Sequence, residues 1–253
     1  MSKIAFQNRL TGAAFTDVVG VAVADSFNLG RWNDTRYPML IAPAAGLFTV
    51  EADLGVAASC DTLVLGANRY EASGYRFANG SVQVEYWNGA AWTVALPSVA
   101  ITAAVNEASY HEFAAVSAQL WRLVFSGLAT AQEALPDAFL GSRIEFANHN
   151  FGADGYDEVS KATVLDSELG RIYETLQYRR LELSLTWGRL LMTEAADFET
   201  FKLFWNQYRI PFWIIPDDAD STACYLMRQS GKISVPRLSA VHKTTSLKLI
   251  EAI

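Results

Sequence analysis

Between Arg180 and Trp187 the chain reads Arg-Leu-Glu-Leu-Ser-Leu-Thr-Trp, with polar and apolar residues in strict alternation. Successive side chains of an extended strand point to opposite faces, so Leu181, Leu183, Leu185 and Trp187 share one face and Glu182, Ser184 and Thr186 the other. The same period of two governs Val82-Gln-Val-Glu-Tyr-Trp87, where Val82, Val84 and Tyr86 lie opposite Gln83 and Glu85. Asn88-Gly89 follows directly, the dipeptide that best accepts the positive φ angles of a type I′ turn. Trp92 and Val94 restart the alternation, which predicts a hairpin. Phe48–Gly55, Thr62–Gly66, Glu112–Val116, Leu120–Gly127 and Ser142–Phe146 read as further short strands. Many short strands separated by Gly and Asn turns, with no amphipathic helix before residue 147, predict a sandwich or jelly roll.

The totals set bounds on this reading. At 253 residues there is room for one large β domain or two ordinary ones. A hydrophobic share of 51% against 19% charge supports packed cores and leaves apolar surface for partners. The net charge of −7 argues against a nucleic-acid-binding surface, which needs clustered Lys and Arg, although DNA can slide past an acidic wall without sticking. Lys3 is the lone lysine before residue 147, and the rest begin at Lys161, which favours two units of different origin. Cys60 and Cys224 fall one in each unit and read as reduced, structural thiols, in keeping with assembly in a cytoplasm. The N-terminus lacks the apolar run of a secretory signal, and no stretch reaches the roughly 18 apolar residues of a membrane span, so no membrane insertion is expected.

In the first unit, residues 1–147, three elements occur in order: Phe48–Gly55 with its Asp-Leu-Gly ending, Val82–Trp92 with its Tyr-x-x-Gly-x-x-Trp ending, and Phe113–Phe125 with Trp-Arg-Leu-x-Phe. In that order they resemble the galactose-binding-like sandwich, also called the discoidin or F5/8 type C fold, over most of residues 10–147. The resemblance implies an eight-stranded jelly roll with ligand loops at one end. Those loops would include Asn28–Tyr37 and Asn68–Arg76. The candidate binding residues on them are Trp32, Arg36, Tyr37, Arg69, Tyr70, Tyr75 and Arg76, whose aromatic and guanidinium groups suit stacking on a sugar ring or gripping a partner. Ordinary loop packing accounts for the same aromatics.

The second unit, residues 148–253, opens with the polar, Gly-rich Asn148–Gly155, which reads as a linker or turn. After the alternating strand, Thr193 offers an N-cap, and Glu194 and Asp197 place negative charge at the start of a helix over about 194–209. Phe198, Phe201, Trp205 and Tyr208 form one aromatic stripe suited to packing on a sheet. Pro211 ends the helix. Phe212–Ile215, Cys224–Met227 and Ser246–Glu251 read as strands. This order of strand, helix and strands, carried by Arg179–Trp187, Phe198–Phe204, Phe212–Asp217 and Thr245–Glu251, resembles the β-sandwich-plus-helix fold of tailed-phage distal-tail and minor tail proteins. The resemblance implies a homo-oligomeric ring around a channel that DNA passes without specific binding. Its partners would be the tail tube protein, the hub, and fibre or other tail-tip proteins, and its location the virion tail.

No catalytic or cofactor signature emerges. His111, His149 and His242 lack metal-ligand spacing, and no Gly-x-Ser-x-Gly elbow, Walker loop or dinucleotide fingerprint occurs. Asp154, Asp157 and Glu158, like Asp217, Asp218 and Asp220, read as solvated turns rather than calcium sites. The expectation is therefore a mainly β, non-enzymatic protein without cofactor or metal: a structural subunit of a phage-like tail tip bearing an outward sandwich. The alternative is a carbohydrate-binding module acting as a host-surface adhesin.

Overall fold

A computed structural model of the chain describes residues 1–19, 40–41, 46–66, 80–101, 108–128, 134–135, 138–147, 155–166, 172–216, 223–237, 239 and 242–251. Over the described residues the fold is mainly β with one helix. The first strands are β1 (Ser2–Ala5), β2 (Ala14–Val19), β3 (Leu40–Ile41), β4 (Gly46–Leu65), β5 (Ser81–Trp87), β6 (Trp92–Ala100) and β7 (Ser109–Leu128). They are followed by β8 (Ala134–Leu135), β9 (Ala138–Gly141), β10 (Arg143–Phe146), β11 (Gly155–Asp166) and β12 (Ile172–Leu191). Helix α1 (Met192–Tyr208), β13 (Phe212–Ile215), β14 (Tyr225–Gln229) and β15 (His242–Glu251) complete the chain. Two compact units result: Lys3–Ile144 with Trp213–Tyr225, and Met1–Ser2 with Glu145–Phe212 and Leu226–Ile253.

In the first of these units a sheet runs β2-β4-β7-β5-β6, with β9 on β4. Its inward face carries Val50, Ala52, Val82, Val84, Trp121, Leu123 and Phe125, all buried, and they join Leu10, Ile101, Phe113 and Leu140 in one core. Burying a large apolar side chain of this kind stabilises a fold by about 1.5–3 kcal/mol. The short strands expected at Phe48–Gly55 and Thr62–Gly66 are one strand, β4, of 20 residues. Those expected at Glu112–Val116 and Leu120–Gly127 likewise merge into β7, also of 20 residues. The pairing of β4 with β7 continues across register shifts between Asp53 and Ala58 and between Cys60 and Thr62, where bulges take up the unmatched residues. Gly55, at φ +75°, supplies a conformation there that most residues resist.

The turn between β5 and β6 also differs from expectation. Trp87 pairs with Trp92, so four residues, not two, form the loop. Gly89 has φ +99°, but Asn88 is not in the left-handed region, which rules out type I′. The Asn88 side chain is the cause: its Oδ1 accepts the N–H groups of Ala90 and Ala91, each at 2.9 Å, and closes the wider loop.

A charged network fastens the opposite end of β7. Glu112 accepts from Lys3 and from the Tyr110 hydroxyl at 2.9 Å, and pairs with Arg143 at 3.0 Å. Arg143 also reaches Asp61 at 3.4 Å. The Lys3 side chain is only 5% exposed, so this pairing is what makes its burial tolerable.

In the second unit the strands run β14-β15-β12-β11. The alternation read at Arg180–Trp187 is realised in β12, where Leu183, Leu185 and Trp187 are buried. Aromatic rings then stack in sequence: Phe146 on Trp187 at 5.5 Å, Trp187 on Phe198 at 5.4 Å, Phe198 on Phe201 at 5.7 Å, and Phe201 on Phe212 at 4.7 Å. Phe198, Phe201 and Trp205 are buried as the stripe predicts, but Tyr208 is half exposed and packs on Phe204 at the helix end. The helix begins earlier than expected. Its N-cap is Leu191, not Thr193, and offers no side-chain acceptor. Glu194 compensates: one carboxylate oxygen accepts the Leu191 N–H and the other the Ala147 N–H, each at 2.8 Å. Asp157 and Glu158, expected in a turn, lie within strand β11.

Candidate functional site

The loop residues nominated for binding, Trp32, Arg36, Tyr37, Arg69, Tyr70, Tyr75 and Arg76, all lie outside the described residues. Among the described residues, aromatic and charged groups converge instead on the outward face of the β2-β4-β7-β5-β6 sheet. Strand alternation puts Glu51, Gln83, Glu85, Trp87, Trp92 and Arg122 on that side, because Val50, Ala52, Val82, Val84, Trp121 and Leu123 point into the core. Cross-strand register brings them together. Thr16 pairs with Glu51, Glu51 with Arg122, Arg122 with Glu85, and Glu85 with Val94, so one row crosses all five strands. The next row places Trp87 opposite Trp92.

The geometry of the face follows from these pairs. The rings of Trp87 and Trp92 meet edge to face at 5.6 Å. The Arg122 guanidinium lies 4.5 Å from the centroid of the Trp92 ring, a cation–π contact. Arg122 Nε donates to Glu85, and Gln83 Nε2 donates to the other oxygen of the same carboxylate. Glu51 stands farther off, 4.0 Å from Arg122 Nη1. Glu85 is nearly enclosed at 10% exposure, whereas Arg122 and Glu51 keep 24% and 29%. Four strands at about 4.8 Å spacing give a platform about 14 Å wide from β4 to β6. Asn88, whose amide donates to the Thr93 hydroxyl at 2.9 Å, braces the hairpin that holds both tryptophans.

This arrangement suits binding. A flat indole offers a stacking surface, and the fringe of carboxylate, amide and guanidinium supplies directional hydrogen bonds. Among the described residues no group of three or more His, Cys, Asp or Glu is placed to hold a metal ion. The Cys60 and Cys224 thiols are buried, and desolvation pushes Cys60 up to about 12 and Cys224 well above its usual value, so neither is a ready nucleophile. The sequence held part of the signal for this face. Gln83 and Glu85 stand opposite the apolar side of their strand, but nothing local says that Arg122 and Glu51 become their neighbours.

No protein-family model matches the chain, and no curated protein matches it. Among solved structures the chain is similar to SpGH29, at 18% identity and TM-score 0.41, covering 54% of this chain and 28% of that one. It is similar to the CBM32 of AlyQ in complex with 4,5-unsaturated mannuronic acid, at 15% identity and TM-score 0.40, covering 50% of this chain and 92% of that one. It is also similar to chitosan-binding module 2, in complex with chitotriose, from the chitosanase/glucanase of Paenibacillus sp. IK-5. That match has 18% identity and TM-score 0.39, and covers 53% of this chain and all of that one at 100%. The chain thus spans under a third of SpGH29's length, at 28%, and nearly all of either binding module.

Proposed function

We propose that this chain is a non-catalytic glycan-recognition protein that uses the outward sheet face as a binding platform. The observation that carries this reading is the Trp92–Arg122 stack at 4.5 Å, set edge-on to Trp87 and fringed by Gln83, Glu85 and Glu51. Two tryptophans on a solvent-facing sheet surface do little for a core. Their flat, amphipathic rings match the C–H face of a pyranose, and the polar fringe matches its hydroxyls. A glycan array followed by calorimetry tests the reading. Trp92→Ala should weaken binding by about tenfold or more, since a well-packed aromatic anchor contributes over 1 kcal/mol. A variant that binds as tightly as the parent would remove the platform from consideration.

A second reading is a ring-forming structural subunit of a phage-like tail tip, located in the virion tail and contacting tube, hub and fibre proteins. It is favoured by β11, a 12-residue strand that ends the strand order of its unit and pairs along its whole length with β12. A long terminal strand is the feature that edge-to-edge assembly uses. Light scattering on the purified chain tests it: a defined ring-sized oligomer supports this reading, and a monomer at micromolar concentration opposes it.

A further inference from the structure

The charge balance of the platform points to the class of glycan. Glu85 is satisfied, since it takes Arg122 and Gln83 together. Glu51, at 4.0 Å from the same guanidinium, is barely compensated. Asp53 stands two residues further along β4 on the same side, and among the described residues its oxygen accepts from neutral donors, the Gln119 amide and the Gly55 N–H. Among the described residues the face therefore presents three carboxylates to one cation. Arg122 also shows what the place accepts: a cation held between an indole ring and two carboxylates. An ammonium group on a stacked sugar is the external counterpart of that guanidinium.

Resting on the glycan-recognition reading, we infer that the platform selects glycans bearing free amino groups, glucosamine oligomers in particular, over N-acetylated and acidic ones. The sugar ring stacks at the Trp87–Trp92 corner, and its ammonium takes Glu51. An acidic sugar meets Glu51 and Asp53 as like charges, and an N-acetylated sugar brings no cation to offset them.

The test is calorimetry of the full chain with three probes: a glucosamine trimer, its N-acetylated form and a galacturonate trimer. The glucosamine trimer should bind tightest, and its affinity should fall as salt rises. Glu51→Gln, a change on the outward face that leaves the core alone, should weaken that probe by about threefold to tenfold and the N-acetylated probe by clearly less. If the N-acetylated or galacturonate trimer binds as tightly as the glucosamine trimer, or if Glu51→Gln leaves the affinity for the latter unchanged, the inference is overturned while glycan recognition stands. Silence from all three probes overturns the inference as well, and a blank glycan array alongside it takes down the underlying reading too.

Discussion

The indole N–H of Trp187 donates to the hydroxyl of Ser2 at 3.0 Å, joining residues 185 apart in the chain. Both groups are fully buried. Ser2→Ala would leave the indole donor without its acceptor and cost about 1–3 kcal/mol. Urea denaturation followed by tryptophan fluorescence should show the lowered midpoint. Trp187→Phe should cost more, because it also opens space in the ring stack with Phe146 and Phe198.

Gly141 leaves no room for a side chain. A Cβ built there would sit 2.3 Å from the Gln7 carbonyl oxygen and 2.8 Å from Phe139 Cζ. Backbone cannot yield as a flexible side chain would, so Gly141→Ala should destabilise by about 1–3 kcal/mol. Thermal unfolding by circular dichroism is the direct check, with Gly188→Ala as a control, since nothing lies within 4 Å of a Cβ built there.

Glu112 should make stability depend on acid pH. Burial opposes its ionisation, but the hydrogen bonds from Lys3 and Tyr110 and the charges of Arg143 and Lys3 outweigh that and hold its carboxyl below the ordinary value of 4.5. A depressed folded-state value means the contribution is fully present above the unfolded value. It is lost as pH falls through the folded one. Urea midpoints measured downward from neutral pH should therefore begin to drop below about pH 4.5, and Glu112→Gln should flatten that part of the profile.

The two thiols should resist labelling. With Cys60 at about 12 and Cys224 raised well above its usual value, an aromatic disulfide reagent at neutral pH should react with neither in the folded chain. Both should react at once in denaturant. Rapid labelling of the native chain would contradict their burial.

Helix α1 depends on one carboxylate. Glu194→Ala strands the N–H groups of Leu191 and Ala147 and should cost about 1–2 kcal/mol, whereas Thr193→Ala, at an exposed position outside the cap, should be nearly neutral. Comparing the two variants by denaturation separates the observed cap from the one expected at Thr193.

Local pattern carried a good deal of this architecture. Leu183, Leu185 and Trp187 are buried where a period of two put them, and Phe198, Phe201 and Trp205 are buried where helical spacing put them. What local pattern could not carry were events set by distant partners. The merging of Phe48–Gly55 with Thr62–Gly66 depends on the bulged ladder to β7. The Asn88 loop departs from a type I′ turn because a side-chain acceptor competes with the backbone. Leu191 became the cap because Glu194, three residues on, supplied the acceptor that leucine lacks. The outward face of the β2-β4-β7-β5-β6 sheet is the plainest case: each of its residues sits on a readable strand, but the meeting of Glu51, Arg122 and Glu85 requires the order β4-β7-β5.

One strand has two kinds of neighbour along its length. β12 pairs with β11 from Ile172 to Ser184 and with β15 from Glu182 to Leu191. Among the described residues it is therefore flanked on both sides at Glu182, Leu183 and Ser184, while below Glu182 it has β11 alone. A ladder flanked on both sides opens only when the whole sheet does, whereas a two-stranded ribbon can peel apart from its tip. Amide protons of a single continuous strand should therefore exchange on different clocks, and the change of tempo at Glu182 would mark where the body of the sheet gives way to an arm.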